Sequence, residues 1–343
     1  MDISLFYFLL LGFAILMYVL LDGFDLGIGI LYPWFNSDTE HDHLMRSISH
    51  VWDSNETWLV FGGVILFGAF PSAYALLLSS LYLPIMLMLI GLIFRGVAFE
   101  YRFKSHSSKV WWSRAFAMGS TLAAFCQGLM LGAVVQGVPS DAVQGSSLQL
   151  LTPFSLLTAL SVVAGYALLG CAYLVMKSRG DIQHKAAQRG RLLVWGVMIA
   201  MAIVSLYTVL ADPLIWQRWF GGLHTLLLLP LPLLALAAAR LLYRDLGRVR
   251  KSHHLAQQVV VKHEDRPFWL AVSLFVLAFA GLLVSLFPYL LPRQLSYQQA
   301  VAPEHSLWFM LPGVLIFVPL ILAYTLWGYR IFAGKVEDFE EGY

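Results

Sequence analysis

The sequence predicts an all-α, polytopic membrane bundle of about nine transmembrane helices, its N-terminus outside and its C-terminus cytoplasmic. Three observations predict it. Apolar residues make up 59% of the 343 positions and charged residues only 12%, about half the share with which a soluble domain covers its surface. The apolar residues fall in blocks long enough to cross a hydrocarbon core of about 30 Å. Lys and Arg alternate between the loops: nineteen of the 22 fall on one set, Arg218 and Arg293 on the other, and Arg95 inside a block. That asymmetry is the positive-inside signal, and ends on opposite sides require an odd number of spans.

The expected spans are 5–31, 54–75, 78–100, 113–136, 152–176, 192–211, 220–241, 268–290 and 307–332. The first block runs on through Asp22 and Asp25 without a small-residue cleavage site, so it reads as a span rather than a signal peptide. One uncharged run from Trp58 to Phe94 is too long for a single span, and the proline and serines between Pro71 and Ser80 predict a tight hairpin there. The basic segment 240–267 is expected to be partly helical against anionic headgroups. With no linker, strong repeat or low-complexity stretch, 1–343 reads as one integral-membrane domain, an N-terminal bundle over 1–136 and a C-terminal one over 152–334. Cys126 and Cys171 lie in apolar spans without ligand-like spacing and read as packing residues. The net charge of +2 does not point to nucleic acid, because the basic residues sit in short loops.

Chemistry concentrates in carboxylates. Asp22 and Asp25 share one helical face, about 10–15 Å into the membrane from Tyr32. Gly23 and Gly27 beside them form a small-xxx-small pair that admits a close neighbouring helix. An ionised Asp facing lipid costs about 2.5–3.5 kcal/mol, so both should face protein or water, as a proton or ion path or as partners of a backbone or an arginine. Asp53 and Glu56 again share a face at the mouth of the second span. Asp53 suits a helix cap as well as a proton entrance. Trp52 and Trp58 suit an interfacial belt. Arg95, near the inner end of the third span, is a natural partner for one of the acids, unless it snorkels to the surface. Nine of the ten histidines fall in loops or at span edges, and only His224 lies within a span, so this chain is not expected to ligate a haem or metal by itself.

Several segments carry a family resemblance. Asp22-Gly23-Phe24-Asp25-Leu26-Gly27-Ile28-Gly29, Trp52-Asp53-Ser54-Asn55-Glu56-Thr57-Trp58-Leu59 and Phe94–Arg102 resemble subunit II of the cytochrome bd-type quinol oxidases, including the cyanide-insensitive terminal oxidases. So do Gln136–Pro139, Phe287–Pro292 and Tyr324–Tyr329, in the family's order along nearly the whole chain. The resemblance implies two four-helix bundles with a peripheral helix, in a bacterial cytoplasmic (inner) membrane. It implies a partner, subunit I, holding two b-type haems, a further haem of d or b type and the quinol site, and often a very small single-span subunit. Such a complex oxidises quinol, reduces O2 to water and takes protons from the cytoplasm without a pump. Members of the family also carry a structural quinone in this subunit. By resemblance Asp53 begins a proton route; Glu56, at a position where the family varies, and Asp25 and Asp22 are the acids placed to continue it. Asp22, Asp25, Arg95 and Glu100 support the haem site or assembly, and Trp58 lines an oxygen route. Two other readings stand beside this one: a proton-coupled secondary transporter, and a scaffold in which the acids only hold helices together.

Overall fold

The computed structural model describes residues 2–105, 107–138, 147–222, 224–252 and 263–336. Helix α1 (Ile3–Leu31) starts on an Asp2 cap, and α2 (Asp38–Ile48) on a Ser37/Glu40 capping box. Then come α3 (Trp52–Ala69), α4 (Pro71–Ser80), α5 (Tyr82–Lys104), α6 (Lys109–Gln136), α7 (Pro153–Lys177) and α8 (Gly180–Ala211). Two short helices, α9 (Pro213–Phe220) and α10 (His224–Leu228), lead into α11 (Pro230–Ser252) and α12 (Arg266–Leu286). A small antiparallel hairpin, β1 (Tyr289–Leu291) and β2 (Leu295–Ser296), and α13 (Tyr297–Ala300) precede α14 (Glu304–Ile331).

Eight of these helices are long and apolar enough to cross a membrane, counting α10 and α11 as one stretch, Thr225–Arg250. The second expected span, α3, is not among them, because Asp53, Asn55 and Glu56 occupy its first turns. Between α3 and α5 the chain does not make the expected tight hairpin. Pro71, whose ring already holds a helical φ and whose missing N–H is no loss at a first turn, starts the ten-residue α4 instead. At about 1.5 Å per residue α4 is too short to cross. Helix α8 begins twelve residues before its expected span, and α11 runs on to Ser252. Hydropathy marks where the membrane ends, whereas a helix continues as long as its polar residues suit water. Of segment 240–267, residues 253–262 lie outside the described residues, as do Pro139 and the acidic tail from Glu337.

Helix α1 is the hub. It packs on α3, α6, α7 and α12, while α7, α8, α11 and α12 pack in a ring beside it and α14 lies along α3. One apolar core runs from Phe24 through Phe116, Tyr173 and Leu246 to Phe268. Close crossings make this possible: a Cβ on Gly27 would lie 1.9 Å from the Tyr166 carbonyl oxygen, and one on Gly119 only 2.5 Å from that of Gly91. The expected role of Gly23 and Gly27 is thus met by α7, with the Tyr166 ring 2.8 Å from where a Gly23 Cβ would stand.

The ends of the helices that carry the basic loops are closed by polar contacts. Acids of α2 clamp it onto its neighbours: Asp42 takes bonds from Arg102 and from Lys109 (3.1 Å), and Glu40 from Lys185. Arg102, counted among the loop cations in the sequence, is fully buried here because α2 folds over it; Ser113 accepts from its Nε at 2.9 Å. The segment after α14 straps across the end of α7, with Lys177 donating to the Phe332 carbonyl and Lys335 to that of Ser178 at 3.0 Å.

Partial burial would raise the Glu40 carboxyl, but the Lys185 ammonium and the N–H groups of Asn36 and Ser37 outweigh it and hold the group down at about 2. Asp42 is likewise held low by Arg102 and Lys109 against the effect of burial. A carboxylate whose folded pKa is depressed stabilises the fold above its unfolded pKa of about 4.3, and that contribution fades as pH falls toward the folded value. Protection of the α2 amides, relative to their intrinsic exchange at each pH, should therefore hold at pH 5 and fall between about pH 4 and 2. Glu40→Gln should lower that protection at pH 5 and flatten its response to acid.

Candidate functional site

Four helices bring a charged cluster into the core. Asp22 and Asp25 project from α1, Glu56 and Asn55 from α3, Arg95 from α5 and Tyr329 from α14; Asp22, Asp25 and Arg95 are fully buried. Arg95 Nη1 serves two acids at once, Asp22 Oδ1 at 2.7 Å and Glu56 Oε1 at 2.8 Å, and Nη2 stands 3.7 Å from Asp25 Oδ2. Asn55 Nδ2 donates to Asp25 Oδ2 at 2.7 Å, and the Tyr329 hydroxyl in turn donates to Asn55 Oδ1 at 3.1 Å. The Arg95 guanidinium lies 5.7 Å from the centre of the Trp52 ring, which stacks on Phe99.

One guanidinium faces three carboxylates. Full ionisation would leave the pocket with an uncompensated double negative charge in a low-dielectric interior, so the acids compete for one counter-charge and are suited to share a proton. Asp22 Oδ2, Asp25 Oδ1 and Arg95 Nε make no hydrogen bond among the described residues, which leaves capacity for water. Of the three acids bound around Arg95, Glu56 is the one with an exposed side chain, at 26%. Asp53, one turn earlier on α3, is exposed at the basic end and is an electrostatic neighbour of Glu56.

A second polar chain leaves the cluster along α1. Tyr18, one turn before Asp22, accepts from Gln127 Nε2 at 2.8 Å, and the Tyr166 hydroxyl donates to Gln127 Oε1 at 2.6 Å. It joins α1, α6 and α7, and a lone Gln in an apolar span was its only trace in the sequence.

Of the residues singled out beforehand, Asp22, Asp25, Glu56 and Arg95 meet, and Asp53 stands at their mouth. Arg95 does not snorkel. Trp58 is buried apart from the ion pairs, edge-on to Phe13 and Phe61. Glu100 does not join the cluster: it points outward and pairs with Lys104 at 3.1 Å, both side chains largely exposed.

A haem iron would need an axial ligand inside the bundle. The histidines instead close helix ends: His41 stacks on Tyr32, His43 bonds Ser178 and His50 packs on Phe332. Burial, with Lys177 nearby, pushes His50 down to about 4, so it stays neutral. His305 opens α14 and His224 opens α10, while His106, His253 and His254 lie outside the described residues. No group of three His, Cys, Asp or Glu among the described residues could hold a metal ion. The described interior does not fit a haem.

Residues 3–332 match the family model for cytochrome bd terminal oxidase subunit II. The chain is 26% identical to cytochrome bd-I ubiquinol oxidase subunit 2 of Escherichia coli K12, over 97% of this chain and 96% of that one. It is 25% identical to cytochrome bd ubiquinol oxidase subunit 2 of Bacillus subtilis, over 97% of each. The fold is that of a chain in the bd oxidase structure from Geobacillus thermodenitrificans, with a TM-score of 0.77 at 16% identity, covering 97% of this chain and 99% of that one.

Proposed function

The chain belongs to the cytochrome bd terminal oxidase subunit II family, and from that premise we propose that its carboxylate cluster takes up protons for oxygen reduction in a partner subunit. The complex is a quinol oxidase of the respiratory chain. In this reading the haems and the quinol site lie in subunit I; what supports the haem part is that no group of three His, Cys, Asp or Glu among the described residues of this chain could hold a metal ion. We further assign the basic end to the cytoplasm of a bacterial inner membrane, α3 to a ninth crossing, and the division between two bundles to the link from α6 to α7.

One observation carries the proton role: Glu56 is the partly exposed acid of the cluster and shares a single nitrogen of Arg95 with the fully buried Asp22. A proton arriving at Asp53 passes to Glu56. Protonated Glu56 loosens its hold on Arg95, which is then left to Asp22 and Asp25, and the proton moves inward by the acids or by water between them. Asp53 and Glu56 act as proton carriers, whereas Arg95 and Asn55 position the carboxylates.

The test is quinol-driven oxygen uptake by the purified complex. Asp53→Asn and Glu56→Gln keep shape but remove a titratable group, and should slow turnover tenfold or more, with the KM for quinol unchanged. Turnover that stays at the parent rate from pH 6 to 9 in both variants would remove these residues from the route.

A further inference from the structure

The end opposite the basic loops is nearly bare of cations. Of the 22 Lys and Arg only Arg218 and Arg293 belong to it, and both line one cavity of about 690 Å³ between α9, α10, the end of α12 and the β-hairpin. Its size lies within the range of small-molecule sites. A second cavity of about 210 Å³ shares Asp212, Ile215 and Arg293 with it.

The two arginines are fixed from behind. Arg218 makes all its hydrogen bonds through Nη1, to the carbonyls of Val284 (2.7 Å), Ser285 (3.3 Å) and Phe287, which α12 leaves unpaired at its end. Its Nε and Nη2 make none among the described residues. Arg293 pairs through Nε with the buried Asp212 at 3.3 Å and reaches the Gln136 carbonyl with Nη2 at 3.4 Å. Two cations and one carboxylate leave the lining positive by one among the described residues. The opposite wall is apolar, formed by Leu227 and Leu228 of α10 and Leu214 of α9.

We propose that this cavity binds the phosphodiester headgroup of a membrane phospholipid, the phosphate against Arg218 and Arg293 and the acyl chains along α10. A free inorganic anion would gain nothing from the leucine wall, and an uncharged apolar molecule would leave the surplus positive charge unmatched. Arginine suits the role, since its planar fork presents two donors to phosphate oxygens.

The test is native mass spectrometry of the intact complex through graded detergent washing, with the released small molecules identified. The parent should keep one phospholipid after the bulk lipid is gone. Arg218→Gln and Arg293→Gln should each lower its occupancy tenfold or more, while Arg330→Gln, at the other end, should not. Should either loss of charge prevent assembly, Leu227→Trp decides: it keeps both arginines, fills the apolar wall and should also expel the lipid. Equal lipid retention in all variants, a quinone recovered in place of the phospholipid, or protection by inorganic phosphate alone would each overturn the assignment.

Discussion

Replacing Arg95 with leucine is expected to destabilise the protein by about 3–5 kcal/mol, the usual cost of removing one partner from a buried ion pair. Here the cost should sit at the top of that range, because three carboxylates lose one cation. Asp22 and Asp25 are fully buried, so bulk water does not screen their charge in its place. Arg95→Lys should recover only part of the loss: an ammonium restores the charge but not the fork that reaches Asp22 and Glu56 from one nitrogen and Asp25 from another. The unfolding temperature of the purified complex and its haem content measure both effects. Parent-like values for Arg95→Leu would mean that the acids are held without the arginine.

Gly27→Ala should be nearly as damaging, although it adds one methyl group. That carbon would stand 1.9 Å from the Tyr166 carbonyl oxygen and 3.0 Å from the Gly170 nitrogen. Backbone cannot rotate aside as a side chain does, so α1 and α7 must separate, at a cost of about 3 kcal/mol or more. Gly63→Ala on α3 is the matched control. Nothing lies within 4 Å of its added carbon, and the better helix propensity of alanine should leave stability level or up by as much as about 1 kcal/mol. The same thermal measurement separates the two; equal midpoints would show that α1 and α7 are not held at this spacing.

The acids could be read from the sequence because charge in an apolar block is costly wherever it stands, and Asp22, Asp25 and Arg95 each carry that cost. What holds them could not. Asn55 meets Tyr329 from 274 positions away, and no local pattern encodes such a pairing. Glu100 shares a motif with Arg95 but not its place in the cluster, because nearness in a motif is not nearness in space. Five residues along a helix turn a side chain by about 140° away from Arg95, and Glu100 faces outward as that rotation requires. Hydropathy counts residues along one chain and so places Arg102 among the loop cations. Its burial depends on α2 folding back, which the capping box at Ser37 and Glu40 hints at but does not direct.

The hydroxyl of Tyr329 has a consequence for the order of synthesis. Asn55 steadies Asp25, yet Asn55 is itself steadied from the last turn of α14, a helix synthesised long after α3. Until then the polar cluster formed by α1, α3 and α5 remains unfinished. A site that begins on α1 is thus completed only when α14 has been made and has packed against α3.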